Sequence, residues 1–268
     1  MLNRVFHYAQ PYVRARARIG AMPSKAQWQH IAAARDLDTL IQRMRENGLA
    51  HWVAQLPRSP DTRAIENSLR QGVTDLVNDV CRWLPARWRD GKRWMQSALT
   101  ILLVQDLLHN ADCYIPSGSP ATLQRIATQP LAHRREALIA AGYGPYLKQD
   151  HAQLLEIWLQ GFGAACPPLG SREAYAIRRI RRLVRGHLEA LLDSRQLVRQ
   201  AATARIADDP TQWRLREQLS ERLRGLLGYE TFHAGFLLLY ALLELLQAER
   251  CRALLLARAH RWDAAGVV

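Results

Sequence analysis

Apolar residues recur along this chain at spacings of three and four, the mark of helices with one buried face. No stretch alternates apolar and polar positions as a half-buried strand would. Pro11 suits the first turn of an opening helix and Gly20 its stop. Ser24 with Gln27 predicts a capping box that starts a second helix. Asp36 starts a third, with Leu37, Leu40, Ile41 and Met44 on one stripe and Gly48 as its end. Asp61 caps a longer helix on which Ile65, Leu69, Val73, Leu76, Val77 and Val80 repeat, until Pro85 breaks the run. Residues 86–110 form a further helix or pair, wet at the start and apolar over 99–108.

A loop over 112–120 follows. Ser119 and Pro120 restart a helix, and Pro130 opens another that stops at Gly142. The Gly- and Pro-rich stretch 161–171 marks a boundary. Beyond it Ser171 caps a basic helix, with Ile177, Ile180, Val184, Leu188 and Leu191 as its stripe. Arg178, Arg179, Arg182 and Arg185 lie on the flank away from that stripe. Asp208-Asp209-Pro210 is another break, after which one helix runs to Gly228 and Thr231 starts the last. The expected fold is all-α, a compact bundle of about ten helices joined by short turns.

The 268 residues are 49% apolar, enough to bury a substantial core and unlike a disordered tail. The net charge of +13 favours an acidic partner, whether nucleic acid, an anionic membrane surface or an acidic protein. Lysine occurs only at positions 25, 92 and 148, so the skew to arginine also fits a GC-rich genome. Cys81, Cys113, Cys166 and Cys251 lie far apart, with no disulfide or zinc spacing. The start lacks the basic-then-apolar run of a secretory signal. The apolar segment 235–246 carries Glu244 and falls short of the ~18 residues a spanning helix needs. The expectation is a chain that is soluble in the cytosol or attached to a membrane only through a partner.

Candidate chemistry is sparse. The histidines show no metal or general-base spacing, and neither a phosphate loop nor a nucleophile elbow is present. No cofactor is expected. Glu244 in its apolar run must be paired, and the expected partner is an arginine or a turn backbone. Trp83, Trp88 and Trp94 alternate with Arg82, Arg87, Arg89 and Arg93. They read either as a nucleic-acid platform or as core packing under arginine stems. Arg14, Arg16 and Arg18 alternate on one helix, where successive members stand about 200° apart and cannot share a face. They read either as anchors for acidic partner loops or as ion-pair partners inside the fold. The basic helix over 172–205 reads either as a contact for nucleic acid, phospholipid head groups or an acidic protein, or as a solvated face.

The tract 12–19 resembles the opening Tyr-x-x-Ala-Arg-x-Arg helix of one family, the d subunit of V-type ATPases and its counterpart in the bacterial and archaeal rotary enzymes. Two further stretches are similar to that family. The unit over 106–150 ends in Tyr143-Gly-Pro-Tyr-Leu147, like the family's TPYxxxL ending. The last helix carries Glu244, Glu249, Arg252 and Arg258, like its ExExxNLRxIxxxK end. The resemblance implies a funnel of three helical lobes, here 1–105, 106–170 and 171–268. It implies a non-catalytic rotor subunit on the cytoplasmic face of the membrane, joining the central stalk to the proteolipid ring of a proton- or sodium-translocating ATPase. The expected partners are the stalk proteins and the ring, with Arg14, Arg16, Arg18, Arg178, Arg179, Arg182 and Arg185 as interface candidates. A basic nucleic-acid-binding or regulatory adaptor is the alternative.

Overall fold

The computed structural model describes residues 2–109, 113, 115, 119–147, 165, 170, 173–186, 210–227 and 233–260. Every regular element among them is helical and none is a strand, so the chain is all-α as its periodicity predicts. It divides into two compact units, Met1–Leu76 with Leu169–Val268, and Val77–Pro168.

In the first unit, α1 (Leu2–Gly20), α3 (Leu37–Met44) and α10 (Pro210–Leu226) pack on α11 (Ala234–Ala259). α11 is apolar on nearly every side, and Phe236, Leu237, Leu239, Leu243, Leu254 and Leu255 are all buried. α2 (Lys25–Ala32) lies against α3, α4 (Ala50–Val53) follows a kink at Asn47 and Gly48, and α5 is Thr62–Trp83. α9 spans 173–186.

Local signals set most of the boundaries. Ser24 and Gln27 form the expected capping box at α2, with the Ser24 N–H donating to Gln27 Oε1 at 2.9 Å. Asp36 accepts the Thr39 N–H at 2.7 Å and starts α3, and that bond holds its carboxyl below the usual range. Asp61 accepts the Ala64 N–H at 2.7 Å and starts α5. Gly48 has φ +82°, and a Cβ there would stand 2.1 Å from the Ala21 carbonyl oxygen. Only glycine fits both demands, and the helical path breaks there as expected.

Two expected starts are corrected. α1 opens at Leu2 and carries Pro11 in its interior, so 12–19 is its second half. Proline there forgoes one helical hydrogen bond. Tyr8 and Ala15 are buried on either side of it, and the Tyr12 ring meets the Phe236 ring at 4.4 Å. This packing on α11 offsets the lost bond. The N-cap of α11 is His233, whereas Thr231 lies outside the described residues. His233 Nδ1 accepts the Gly235 N–H at 3.0 Å, and the Glu173 carboxylate accepts the Ala234 N–H at 3.3 Å. Two donors that every helix start leaves open are thus satisfied from two sides.

In the second unit, α6 (Arg89–His109), α7 (Ala121–Ala127) and α8 (Leu131–Ala140) enclose Leu103, Val104, Leu107, Leu123, Ile126, Leu138 and Leu147. Pro120 and Pro130 precede α7 and α8 as their composition predicts. Gly142, at φ +86°, ends α8 in a Schellman turn. The Tyr143 N–H bonds the Leu138 carbonyl at 2.9 Å, and the Gly142 N–H bonds that of Ile139 at 3.0 Å. The 161–171 stretch, save 165 and 170, lies outside the described residues, as do Leu188, Leu191, Asp208 and Asp209.

Candidate functional site

The arginines of α1 separate by direction. Ala15 is fully buried on the line facing α11, and Arg14 and Arg16 leave to either side of it, both exposed. Arg18 is exposed too, but its Nη1 reaches α11 and donates to the Tyr240 hydroxyl at 2.8 Å. Tyr240 and Glu244 are both buried one turn apart on α11. Burial, then the Glu244 carboxylate, push the Tyr240 phenol up. Glu244 Oε2 lies 3.1 Å from His51 Nε2 on α4, whose imidazole is half exposed. The expected arginine or turn partner of Glu244 is therefore corrected to a histidine 193 residues away.

Two further charges of α11 reach neighbouring helices. Arg252 grips Glu66 of α5 with Nε at 2.9 and 3.0 Å and Nη2 at 2.6 Å. This bidentate fork raises its pKa. Arg258 Nη2 donates to the Ala32 carbonyl at 2.8 Å. Glu244, Arg252 and Arg258 thus fasten α11 to α4, α5 and the end of α2, while Glu249 is exposed.

α9 is built the opposite way. Ile177 and Ile180 are buried and Val184 partly so, whereas Arg178, Arg179, Arg182 and Arg185 are exposed or partly so. Tyr175 stands among them at 59% exposure. α9 and α10 flank a cleft of about 280 Å³, floored by Leu183, Leu215 and Leu219 and edged by Arg182, Gln218 and Arg222.

Among the described residues, enzyme-like arrangements are scarce. An open groove of about 650 Å³ runs past His30, Asp38, Arg43, Glu46 and Arg58. Its charges are of mixed sign and partly committed, since Arg43 Nη1 donates to the His30 carbonyl at 2.5 Å and Gln42 donates to Glu46 at 2.7 Å. Among the described residues no cluster of His, Cys, Asp or Glu is placed to hold a metal ion. The Cys81 and Cys251 thiols are buried, and burial pushes both up, Cys81 to about 11, away from the thiolate form a nucleophile needs. Trp88 is buried over Gly91, where a Cβ would come within 2.8 Å of its ring, so it packs rather than stacks. No helix among the described residues is long and apolar enough to cross a membrane.

Three residues escape sequence reasoning. Arg134, 4% exposed, is an interior cation on a helix most of whose residues are exposed, with no pattern to mark it. His51 has no sequence link to Glu244. Glu173 did leave a signal: it precedes Ile177, Ile180 and Val184 at spacings of four, three and four, and so falls on the inward stripe. No protein-family model, curated protein or solved structure matches the chain.

Proposed function

We propose that this protein is a non-catalytic rotor subunit of a V/A-type rotary ATPase, joining the central stalk to the proteolipid ring of a proton- or sodium-translocating machine. It works as a stiff helical spacer, held peripherally at the cytoplasmic face of the membrane by its partners. One observation carries this reading. The opening and closing stretches that most resemble the family, 12–19 and 244–258, lie on α1 and α11, which pack on each other and share the Arg18–Tyr240 hydrogen bond. A torque-bearing part needs its ends fastened by side chains that resist sliding. The Arg252–Glu66 fork and the Glu244–His51 pair supply such ties. Arg14, Arg16 and the α9 arginines then offer planar donors to partner carboxylates.

The test is affinity capture of the tagged chain from native membranes, followed by mass spectrometry. Nucleotide-binding ATPase proteins and a proteolipid are the expected companions. Capture of RNA or DNA without them would overturn the proposal in favour of a basic adaptor.

A further inference from the structure

The outward face of α9 is rich in arginine. Residues 173–186 hold five arginines against one glutamate. That glutamate, Glu173, is buried and accepts the Ala234 N–H at the start of α11. Tyr175 and Arg182 are seven residues apart, within about 20° on the helical circle, with Arg178 and Arg179 flanking the line between them. Among the described residues no carboxylate pairs with Arg178, Arg179, Arg182 or Arg222. Glu217, the α10 acid with a defined ion pair, is drawn to Lys25 at 3.6 Å and does not line the cleft. An arginine-edged slot with a leucine floor thus lies between α9 and α10, about two turns along α9 from the exposed Tyr175.

We propose that the α9–α10 cleft docks an acidic amphipathic helix of a protein partner. One apolar side chain of that helix enters the slot over Leu183, Leu215 and Leu219, and carboxylates one turn to either side meet Arg182 and Arg222. Two features select this occupant. A nucleic acid takes its affinity from phosphate contacts and aromatic stacking, and a floor of three leucines serves neither. A lipid surface favours a continuous apolar face on the helix, whereas the apolar residues here are recessed between arginines. The inference rests on the reading of the chain as a protein-docking part of a larger machine, and it assigns the docking to a defined slot.

The probe is a synthetic helix of about five turns, with one leucine stripe flanked by glutamates. Its controls are the same peptide with glutamine for glutamate, vesicles of phosphatidylcholine with a quarter phosphatidylglycerol, and an oligouridylate. Binding to the full chain is read by fluorescence anisotropy for the peptides and RNA and by flotation for vesicles, near physiological salt. The acidic peptide is expected to bind roughly tenfold more tightly than its glutamine twin, and Arg182→Glu with Arg222→Glu to remove that advantage. The milder Arg182→Gln with Arg222→Gln is expected to lose about half of it on a logarithmic scale, which guards against a folding artefact. Equal binding of the two peptides would overturn the proposal. So would RNA or vesicle binding that exceeds peptide binding and falls with the same substitutions. If the acidic peptide fails while membrane capture still recovers the ATPase proteins, the cleft assignment alone falls. If the peptide binds while capture recovers none, the rotor reading alone falls.

Discussion

Arg134 in the second unit and Glu244 in the first are both buried charges, and they are satisfied in opposite ways. The Arg134 guanidinium donates to main-chain carbonyls: Gln129 at 2.9 Å, Ala127 at 2.8 Å and Leu107 at 3.4 Å. Two of these acceptors sit in the last turns of α7 and α6, where helix dipoles favour a cation. All three lie within 27 residues of Arg134. Glu244 instead meets side chains brought from afar: His51 directly, with Arg18 linked through Tyr240. The first arrangement is a local cradle that holds three helices at fixed angles. The second is a clasp that ties α1, α4 and α11, elements from opposite ends of the sequence. The contrast separates charges that build a domain from charges that fasten a chain.

Mutations can break that contrast in order of effect. Arg134→Met should be the most damaging, at about 3 kcal/mol or more, because the carbonyls it serves lose their donors in a dry interior. A fall of several degrees in thermal midpoint would register it, and a near-neutral result would mean that water reaches the cradle. Tyr240→Phe removes the relay in the clasp and should cost about 1–2 kcal/mol by urea unfolding. Combining it with Arg18→Met should show a coupling of about 1 kcal/mol in a double-mutant cycle, and strict additivity would deny the link. His51→Ala should cost about 1 kcal/mol or less, since water can replace a half-exposed ring beside Glu244. Arg178→Gln with Arg179→Gln should stay within about 0.5 kcal/mol of the parent, as surface changes away from packed groups do. A large loss there would move those arginines from the docking surface into the fold.

The sequence was most legible where the cause is local. Ser24 with Gln27, Asp36, Asp61, Pro120 and Pro130 each act on backbone groups within a turn, so their types alone place helix starts. Gly48 and Gly142 mark stops because positive φ leaves few alternatives. Legibility failed where tertiary packing outweighed a local rule. Pro11 reads as a helix start until α11 covers both sides of it, and His233 is no favoured cap until Glu173 arrives to share the work. Of the candidate site, the outward flank Arg178, Arg179, Arg182 and Arg185 could be read from its angle to Ile177 and Ile180. The cleft could not, because Arg222 and Leu219 join it only once α10 comes alongside α9. Arg18 shows the same limit: three alternating arginines look alike in sequence, and only the fold turns one of them toward Tyr240.

The proposed role is that of a coupling part that transmits motion between partners. Its most direct test is ATP-driven ion uptake by native membrane vesicles, measured beside ATP hydrolysis, with the chain deleted and then restored. Without a coupling part, ion uptake should collapse while the catalytic head still hydrolyses ATP, and the wild-type chain should restore uptake. Uptake that proceeds unchanged in its absence would contradict the account.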